Sequence, residues 1–245
     1  MLNRLLSRHK DALVIGPGGL GDHIWMSGAV RYIASQYVET HLFCSMTVLP
    51  TLKQLYSDVP SVKFLPIRRV DDNLRRYIRS KYRDIYVCAF TRDLYNRPVD
   101  MDDLPGAFYD HMGIPRSVRH SHFALPALPR SLELYRTLGD QPYIFAHTVA
   151  SNCSVEFVSW DIQKTLTINP NVNMYAPGDP WYELAQKFVN KPFLDYCDTI
   201  KHARELHLAN SSFYTLATQI PPLDATVKVC YDRYSGKVMR HYDFS

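Results

Sequence analysis

Near the start of the sequence, a run of glycines is followed by Asp22, and the types and spacing of these residues suit ligand binding and acid–base catalysis. Four glycines fall within six positions just before Asp22: Gly16, Gly18, Gly19 and Gly21. A turn this rich in glycine lets a ligand approach backbone N–H groups, and a helix that begins there adds a partial positive charge. Such a turn is typical of sites for phosphate-bearing ligands. The carboxylate of Asp22 fits a general base, and it equally fits a helix cap, because acids are favoured in the first helical turn.

The glycine turn also matches the GxGxxG pattern of dinucleotide-binding folds. Those folds place an acid at the end of the second strand, where it binds the ribose hydroxyls. Here the second predicted strand ends in Ser45-Met46-Thr47, and Glu39 precedes that strand at its other end. Pro17 also removes one backbone donor from the turn. An NAD(P)-dependent oxidoreductase that uses this loop is therefore an alternative and not the leading hypothesis.

A second group of candidate residues lies near the end of the sequence, in Asn210-Ser211-Ser212-Phe213. These residues follow a short apolar run and precede a helical pattern, so they are predicted to form a strand-to-helix turn. Asn and Ser are strong N-cap residues, and capping alone would explain them. The alternative is that backbone N–H groups and serine hydroxyls at this helix start hold a diphosphate.

Both segments resemble motifs of GT-B glycosyltransferases. Gly19-Leu20-Gly21-Asp22 resembles the N-terminal loop of heptosyltransferase-like enzymes, in which an Asp after a small-small-Leu-Gly sequence is placed to act as general base. Asn210-Ser211-Ser212-Phe213 resembles the donor-site turn of GT-B fucosyltransferases, which cradles the nucleotide diphosphate. The two motifs stand in the expected order in opposite halves of the chain. Together they make a GT-B glycosyltransferase the leading hypothesis.

The resemblance implies a role for each candidate residue. Asp22 would deprotonate the acceptor hydroxyl in an inverting, metal-independent transfer, and its neighbours would contact the acceptor: Gly18, Gly19, Leu20, Gly21 and His23. The donor is expected to be a nucleotide sugar, with a slight preference for a GDP-sugar, and the acceptor a glycan or another hydroxyl-bearing molecule. Neither a cofactor nor a metal is expected.

In GT-B enzymes the first strand of the second domain delivers polar or basic groups to the donor phosphates, and here that strand leads to His147 and Ser151. A lone His after an apolar strand is more often structural, and the usual Arg or Lys is absent from this turn. Lys164, Lys201 and Arg204 are the candidates to neutralise the diphosphate. Glu205 either pairs with Arg204 or contacts the ribose. The donor-binding set is therefore His147, Ser151, Lys201, Arg204, Glu205, Asn210, Ser211, Ser212 and Phe213.

Strand-like and helix-like segments alternate along the chain, which favours parallel sheets covered by helices. The pattern predicts helices over 22–36, 71–81 and 193–203, and strands over 12–15, 41–46, 143–149 and 172–176. Prolines interrupt it between residues 114 and 140. The predicted fold is therefore α/β, with two Rossmann-like domains, an acceptor domain over 1–128 and a donor domain over 129–245, facing across a cleft as in a compact GT-B protein.

Bulk composition excludes some classes of protein. The 245 residues are 46% hydrophobic and carry a formal net charge of +4, which is ordinary for a globular protein. The five cysteines are dispersed without any metal-ligand spacing, which is typical of reduced intracellular thiols. No signal peptide and no apolar run near ~20 residues is recognisable. A soluble, cytoplasmic protein without a transmembrane segment is expected.

Two further patterns have ordinary explanations. Asp100-Met101-Asp102 is formally a metal-binding DxD, but it falls in a polar loop and is interpreted as a solvated acidic cap. The basic run over 68–83 is either a solvated helix face or a surface for anionic acceptors, membrane headgroups or nucleic acid. No nucleic-acid-binding module accompanies it, so no nucleic-acid partner is expected, while peripheral membrane contact stays open. A GT-B-like binding protein without turnover is the third hypothesis.

Overall fold

The computed structural model describes residues 11–66, 81–88, 103–150, 153–154, 164–220, 222–232 and 234–239, with only the backbone of 153–154. The chain divides into two compact units, Met1–Pro126 and Ala127–Ser245. Several features singled out in the sequence lie outside the described residues: most of the predicted helix over 71–81 and of the basic run over 68–83, the Asp100-Met101-Asp102 loop, and Ser151.

The first unit is built on a parallel sheet with the strand order β3-β2-β1-β4. Its strands are β1 (Asp11–Ile15), β2 (Glu39–Cys44), β3 (Val62–Pro66) and β4 (Asp84–Val87). The central strand β1 pairs with β2 and with β4, and its residues 12–14 have no exposed surface. A continuous apolar sequence suits this position, because a central parallel strand is covered on both faces.

Helices follow the strands of the first unit. They are α1 (Leu20–Trp25), α2 (Ser27–Ala34), α3 (Leu49–Leu55), α4 (Leu104–Met112) and α5 (Val118–Ser121). Gly28 brings α2 against α5: a Cβ there would lie 2.6 Å from the carbonyl oxygen of Val118. A side chain at this position would force the two helices apart.

The single helix predicted over 22–36 is wrong, because the structure divides it at Met26. The carbonyl oxygen of Trp25 accepts a hydrogen bond from the Tyr109 hydroxyl at 2.9 Å, and the Ser27 hydroxyl donates to the Ile24 carbonyl at 2.7 Å. Side-chain hydrogen bonds to helix carbonyls compete with the backbone pattern and bend helices. Tyr109 is 84 residues from Trp25, so local periodicity does not reveal this break.

The second unit contains a parallel sheet with the order β10-β9-β5-β8. Its strands are β5 (Tyr143–His147), β8 (Leu166–Ile168), β9 (Glu205–Ala209) and β10 (Val227–Tyr231). A two-stranded antiparallel ribbon, β6 (Val149–Ala150) and β7 (Cys153–Ser154), follows β5. The helices are α6 (Pro129–Arg136), α7 (Tyr182–Gln186), α8 (Cys197–Lys201) and α9 (Ser212–Ala217), and a 3₁₀ turn over Phe193–Tyr196 leads into α8.

The predicted strand over 172–176 is also wrong, because the strand in this part of the chain is β8 and a loop follows it. Asparagine side chains build that loop: Asn169 Oδ1 accepts the N–H of Asn171 at 2.9 Å, and Asn173 Oδ1 accepts the N–H of Tyr175 at 3.1 Å. An asparagine that bonds the N–H two residues ahead replaces strand pairing with a turn.

Within the described ranges, no helix has the length and apolar character needed to cross a membrane.

Candidate functional site

Each sheet reverses its strand order beside the first strand of its unit. In the first unit β2 and β3 lie on one side of β1 while β4 lies on the other, and in the second unit β9 and β10 lie on one side of β5 while β8 lies on the other. Open α/β sheets bind ligands at the carboxyl ends of the strands at such a reversal. The glycine turn follows β1, and His147 ends β5, so both candidate sites occupy the expected places.

The glycine turn places Asp22 beside the start of α1. Gly19 is the N-cap residue and has no side chain to cap the helix. A Cβ on Gly19 would lie 2.7 Å from Oδ2 of Asp22, which means that the Asp22 carboxylate folds back over the N-cap position. Gly18 and Gly19 are exposed, and a Cβ on Gly18 would meet nothing within 4 Å. The turn therefore leaves open space next to a half-buried carboxylate.

His23 does not lie on the surface of this turn. Its side chain has no exposed area, and neither ring nitrogen has a hydrogen-bond partner among the described residues. Burial lowers the pKa of His23 to about 4, so the ring is neutral near pH 7. Its Cε1 lies 3.5 Å from the position of a Cβ on Gly16. His23 thus lies beneath the glycine turn, and any direct contact with an acceptor would require local opening.

In the second unit the structure brings together two residues that the sequence analysis selected separately. Ser211 follows β9, and its Oγ lies 3.0 Å from Nδ1 of His147 at the end of β5. Burial lowers the pKa of His147 to about 4, while a hydrogen bond with the backbone of Val149 acts in the opposite direction. His147 is therefore neutral near pH 7. This contact joins two adjacent strand ends at the point where the strand order reverses.

Ser211 occupies the N-cap position of α9 but does not cap the helix. Its backbone is extended, as an N-cap residue requires, yet its side chain makes no capping hydrogen bond. The Ser211 side chain therefore does not cap α9, and the capping explanation is wrong for this side chain. Its hydroxyl forms a hydrogen bond with His147 instead.

The other members of the Asn210–Phe213 turn have different surroundings. Phe213 is buried, with ring centroids 4.7 Å from His147 and 4.6 Å from Phe193. It supports the imidazole from the core and does not present itself to a ligand. Asn210 and Ser212 are half-buried, and the N–H of Asn210 donates to the carbonyl of Tyr231 at 2.8 Å.

Three predicted donor-binding residues lie at the opposite edge of the sheet from His147 and Ser211. Glu205 is the first residue of β9, Arg204 precedes it, and Lys201 ends α8. Since the strands are parallel, these residues lie at the amino end of β9, while His147 and Ser211 lie at the carboxyl end. Arg204 Nη2 instead pairs with Glu205 Oε1 at 2.6 Å. The structure does not bring this group to the strand reversal.

The sequence analysis missed Thr148 and Asn169. Asn169 follows β8 directly and is 2% exposed, and its Nδ2 donates to Oγ1 of Thr148 at 2.9 Å. Thr148 follows His147 and is half-buried. The available signal was an asparagine immediately after a strand, a position where polar side chains reach the ligand-binding edge of a parallel sheet.

No group of three or more His, Cys, Asp or Glu residues in the described part of the chain is arranged to hold a metal ion.

Comparison with solved structures shows which class of fold this is. The glycosyltransferase TibC from enterotoxigenic E. coli H10407, an iron-containing dodecamer, superimposes with a TM-score of 0.53 at 16% sequence identity, over 91% of this chain and 58% of TibC. TibC in complex with ADP-D-beta-D-heptose gives the same TM-score, with 59% of that chain covered. A family 9 glycosyl transferase from Veillonella parvula DSM 2008 gives a TM-score of 0.52 at 11% identity, over 91% of this chain and 86% of that one.

These likenesses confirm the predicted Rossmann-like, GT-B-like α/β fold. The chain spans less than two thirds of the length of TibC. No protein-family model matches the sequence, and no curated protein does.

Proposed function

We propose that this chain is a glycosyltransferase that moves a sugar from a nucleotide-sugar donor to a hydroxyl acceptor, with the donor bound by the second unit. The observation that carries the proposal is the contact between His147 and Ser211 at the strand reversal of the second sheet, in a chain that shares its fold with known glycosyltransferases.

The donor diphosphate lies at the carboxyl ends of β5 and β9 in this proposal. The Thr148 hydroxyl donates to it, the Ser211 hydroxyl donates when the neutral His147 carries its proton on Nδ1, and the first N–H groups of α9 add to them. Donors held in place before the reaction stabilise the negative charge that develops on the leaving diphosphate. His147 is neutral, so its part is to hold Ser211 and not to supply charge. Binding through neutral donors predicts a weak dependence of affinity on salt concentration.

The acceptor lies at the glycine turn, against Gly18, Gly19, Leu20 and Gly21. Asp22 accepts the proton of the acceptor hydroxyl as that oxygen attacks the anomeric carbon. The bond from that carbon to the diphosphate breaks, and the diphosphate leaves with the electron pair. Attack from the side opposite the leaving group inverts the anomeric centre. None of these steps requires a metal ion.

The identity of the donor nucleotide is the first property to test. ADP-sugars are the first candidates because TibC is described in complex with ADP-D-beta-D-heptose. The resemblance of Asn210-Ser211-Ser212-Phe213 to fucosyltransferases makes GDP-sugars the second.

A thermal-shift screen with ADP, GDP, UDP and NAD(P) tests the proposal, because a ligand that binds only the native state raises the melting temperature by an amount that its affinity sets. A shift with one nucleoside diphosphate that the Ser211→Ala variant loses supports it. A shift with NAD(P) alone would favour the oxidoreductase. Binding without transfer or donor hydrolysis would favour a binding protein.

A further inference from the structure

The hydrogen bond between Asn169 and Thr148 has a direction that the chemistry of the two groups determines. Asn169 Oδ1 accepts the backbone N–H of Asn171 at 2.9 Å. That contact fixes the orientation of the amide, so the group that faces Thr148 Oγ1 at 2.9 Å is the NH₂. An amide NH₂ only donates. Thr148 must therefore accept, and its own hydroxyl hydrogen is left to donate elsewhere.

The surroundings of Asn169 prevent the amide from turning over. Its side chain is almost completely buried, and its Nδ2 also faces Sδ of Met174 at 3.6 Å. The loop that contains Met174 is fixed in turn by Asn173, whose Nδ2 donates to the carbonyl of Tyr182 and to Oε1 of Gln186, both at 3.0 Å. The donor that faces Thr148 is thus part of a rigid loop.

Thr148 stands at the end of β5, next to His147, where the strand order reverses. It is half-buried, and its Oγ1 is contacted by Nδ2 of Asn169. A hydroxyl that accepts from a buried amide and donates outward suits a ligand that only accepts hydrogen bonds. Phosphate oxygens are such acceptors.

We propose that Asn169 is a positioning residue that makes Thr148 a dedicated hydrogen-bond donor to the diphosphate of the bound nucleotide. This inference rests on the proposed donor site and adds a specific requirement: the direction of one hydrogen bond. A purely structural link between the loops after β5 and β8 would work equally well in the opposite direction, with Thr148 donating to a carboxylate.

The Asn169→Asp substitution reverses that direction at nearly constant shape. One Asp oxygen still accepts from the N–H of Asn171, and the other accepts from Thr148, so the Thr148 hydroxyl hydrogen turns inward. At about pH 8 this variant is expected to bind pyrophosphate and ADP at least about tenfold more weakly. When the pH falls to about 5.5 a buried carboxyl gains a proton and donates again. Binding by the variant should then recover.

Thr148→Val removes the hydroxyl at constant shape and should also weaken binding about tenfold, whereas Thr148→Ser should restore it. The double variant Thr148→Val with Asn169→Asp separates hydrogen-bond direction from simple charge repulsion. If direction matters, the double variant gains no affinity at the lower pH. If the carboxylate only repels the ligand, the double variant recovers as the single variant does, and the proposal is overturned.

Isothermal titration calorimetry with pyrophosphate and ADP measures these affinities, and the melting temperature without ligand checks the fold. If Asn169→Asp does not fold, Asn169→Ala replaces it, and its effect on affinity must vanish in the Thr148→Val background. Equal binding by wild type and Thr148→Val would overturn the inference while leaving the glycosyltransferase proposal intact. Binding of pyrophosphate without any nucleoside diphosphate would overturn the proposed function, and the role of Thr148 as a donor would then apply to the diphosphate group alone. A wild-type protein that binds neither would overturn both.

Discussion

The Oγ of Ser211 lies 3.0 Å from Nδ1 of His147, although 64 residues separate them in sequence. The contact joins the ends of β5 and β9, and the buried ring of Phe213 supports the imidazole from the core side. A neutral imidazole that donates from Nδ1 to this hydroxyl leaves the hydroxyl hydrogen free for a ligand without adding charge. The donor site that we propose for the second unit is built around this pair.

Substitutions of His147 test which ring nitrogen matters. His147→Asn places an amide near the former Nδ1 and should keep the contact with Ser211, while His147→Gln places its amide near the former Nε2 and should lose it. We expect the Asn variant to bind ADP better than the Gln variant by roughly fivefold to tenfold. The ADP-induced shift in melting temperature measures this difference. Equal shifts for the two variants would show that the contact with Ser211 does not contribute to binding.

Asp22→Asn tests the general base. The amide has nearly the shape of the carboxylate but cannot take a proton from the acceptor, so transfer should fall by about 10²-fold to 10⁴-fold. Binding of the donor should be unchanged, because Asp22 belongs to the other unit of the chain. Single-turnover sugar transfer and calorimetric titration of ADP give the two quantities. A correctly folded Asp22→Asn protein with full turnover would exclude Asp22 as the base.

Gly19→Ala and Gly18→Ala form a matched pair in the glycine turn. A Cβ on Gly19 would lie 2.7 Å from Oδ2 of Asp22, so the carboxylate must move, whereas a Cβ on Gly18 meets open space. We expect Gly19→Ala to lower kcat and Gly18→Ala to raise KM for the acceptor while leaving kcat nearly unchanged. Both should melt within a few degrees of the wild type, since neither Cβ meets backbone atoms. The KM for the acceptor should not change in Gly18→Ala if ligands never approach the turn.

His23→Leu tests the cost of an unpaired buried imidazole. Burial lowers the pKa of His23 in the folded state to about 4, whereas a histidine in the unfolded chain has a pKa near 6.5. Because the unfolded chain binds the proton more readily, the contribution to stability is complete above pH 6.5 and is lost as the pH falls toward 4. The loss amounts to about 3 kcal/mol over that range.

Leucine removes this titration and two unsatisfied polar atoms, so the variant should melt at a higher temperature at pH 7 and show a weaker dependence on pH below 6.5. His147, with its own lowered pKa, keeps part of that dependence. A His23→Leu variant with the wild-type pH dependence would contradict the assigned pKa. If His23 contacts the acceptor, as predicted, the His23→Leu variant should be more stable than the wild type and should lose sugar-transfer activity.

The sequence by itself determined the local units of this protein. The apolar run of β1, the glycine turn and the start of α1 are encoded by adjacent residues, and so is the turn from β9 through Asn210-Ser211-Ser212 into α9. Apolar strands that alternate with helices also sufficed to predict a parallel α/β fold. Propensity and hydrophobic periodicity act over a few residues, so these features could be predicted.

The tertiary structure alone decided which polar groups meet. Strand order determined that β5 and β9 are neighbours, which brings Ser211 to His147 and leaves Arg204 and Glu205 at the opposite edge. The same non-local packing divides the first helix through Tyr109 and directs Asn169 toward Thr148. Parallel strands are joined by long crossovers, so residues that share a site are far apart in sequence. Hydrophobic patterning tells which face of a strand is buried but not which strand lies beside it.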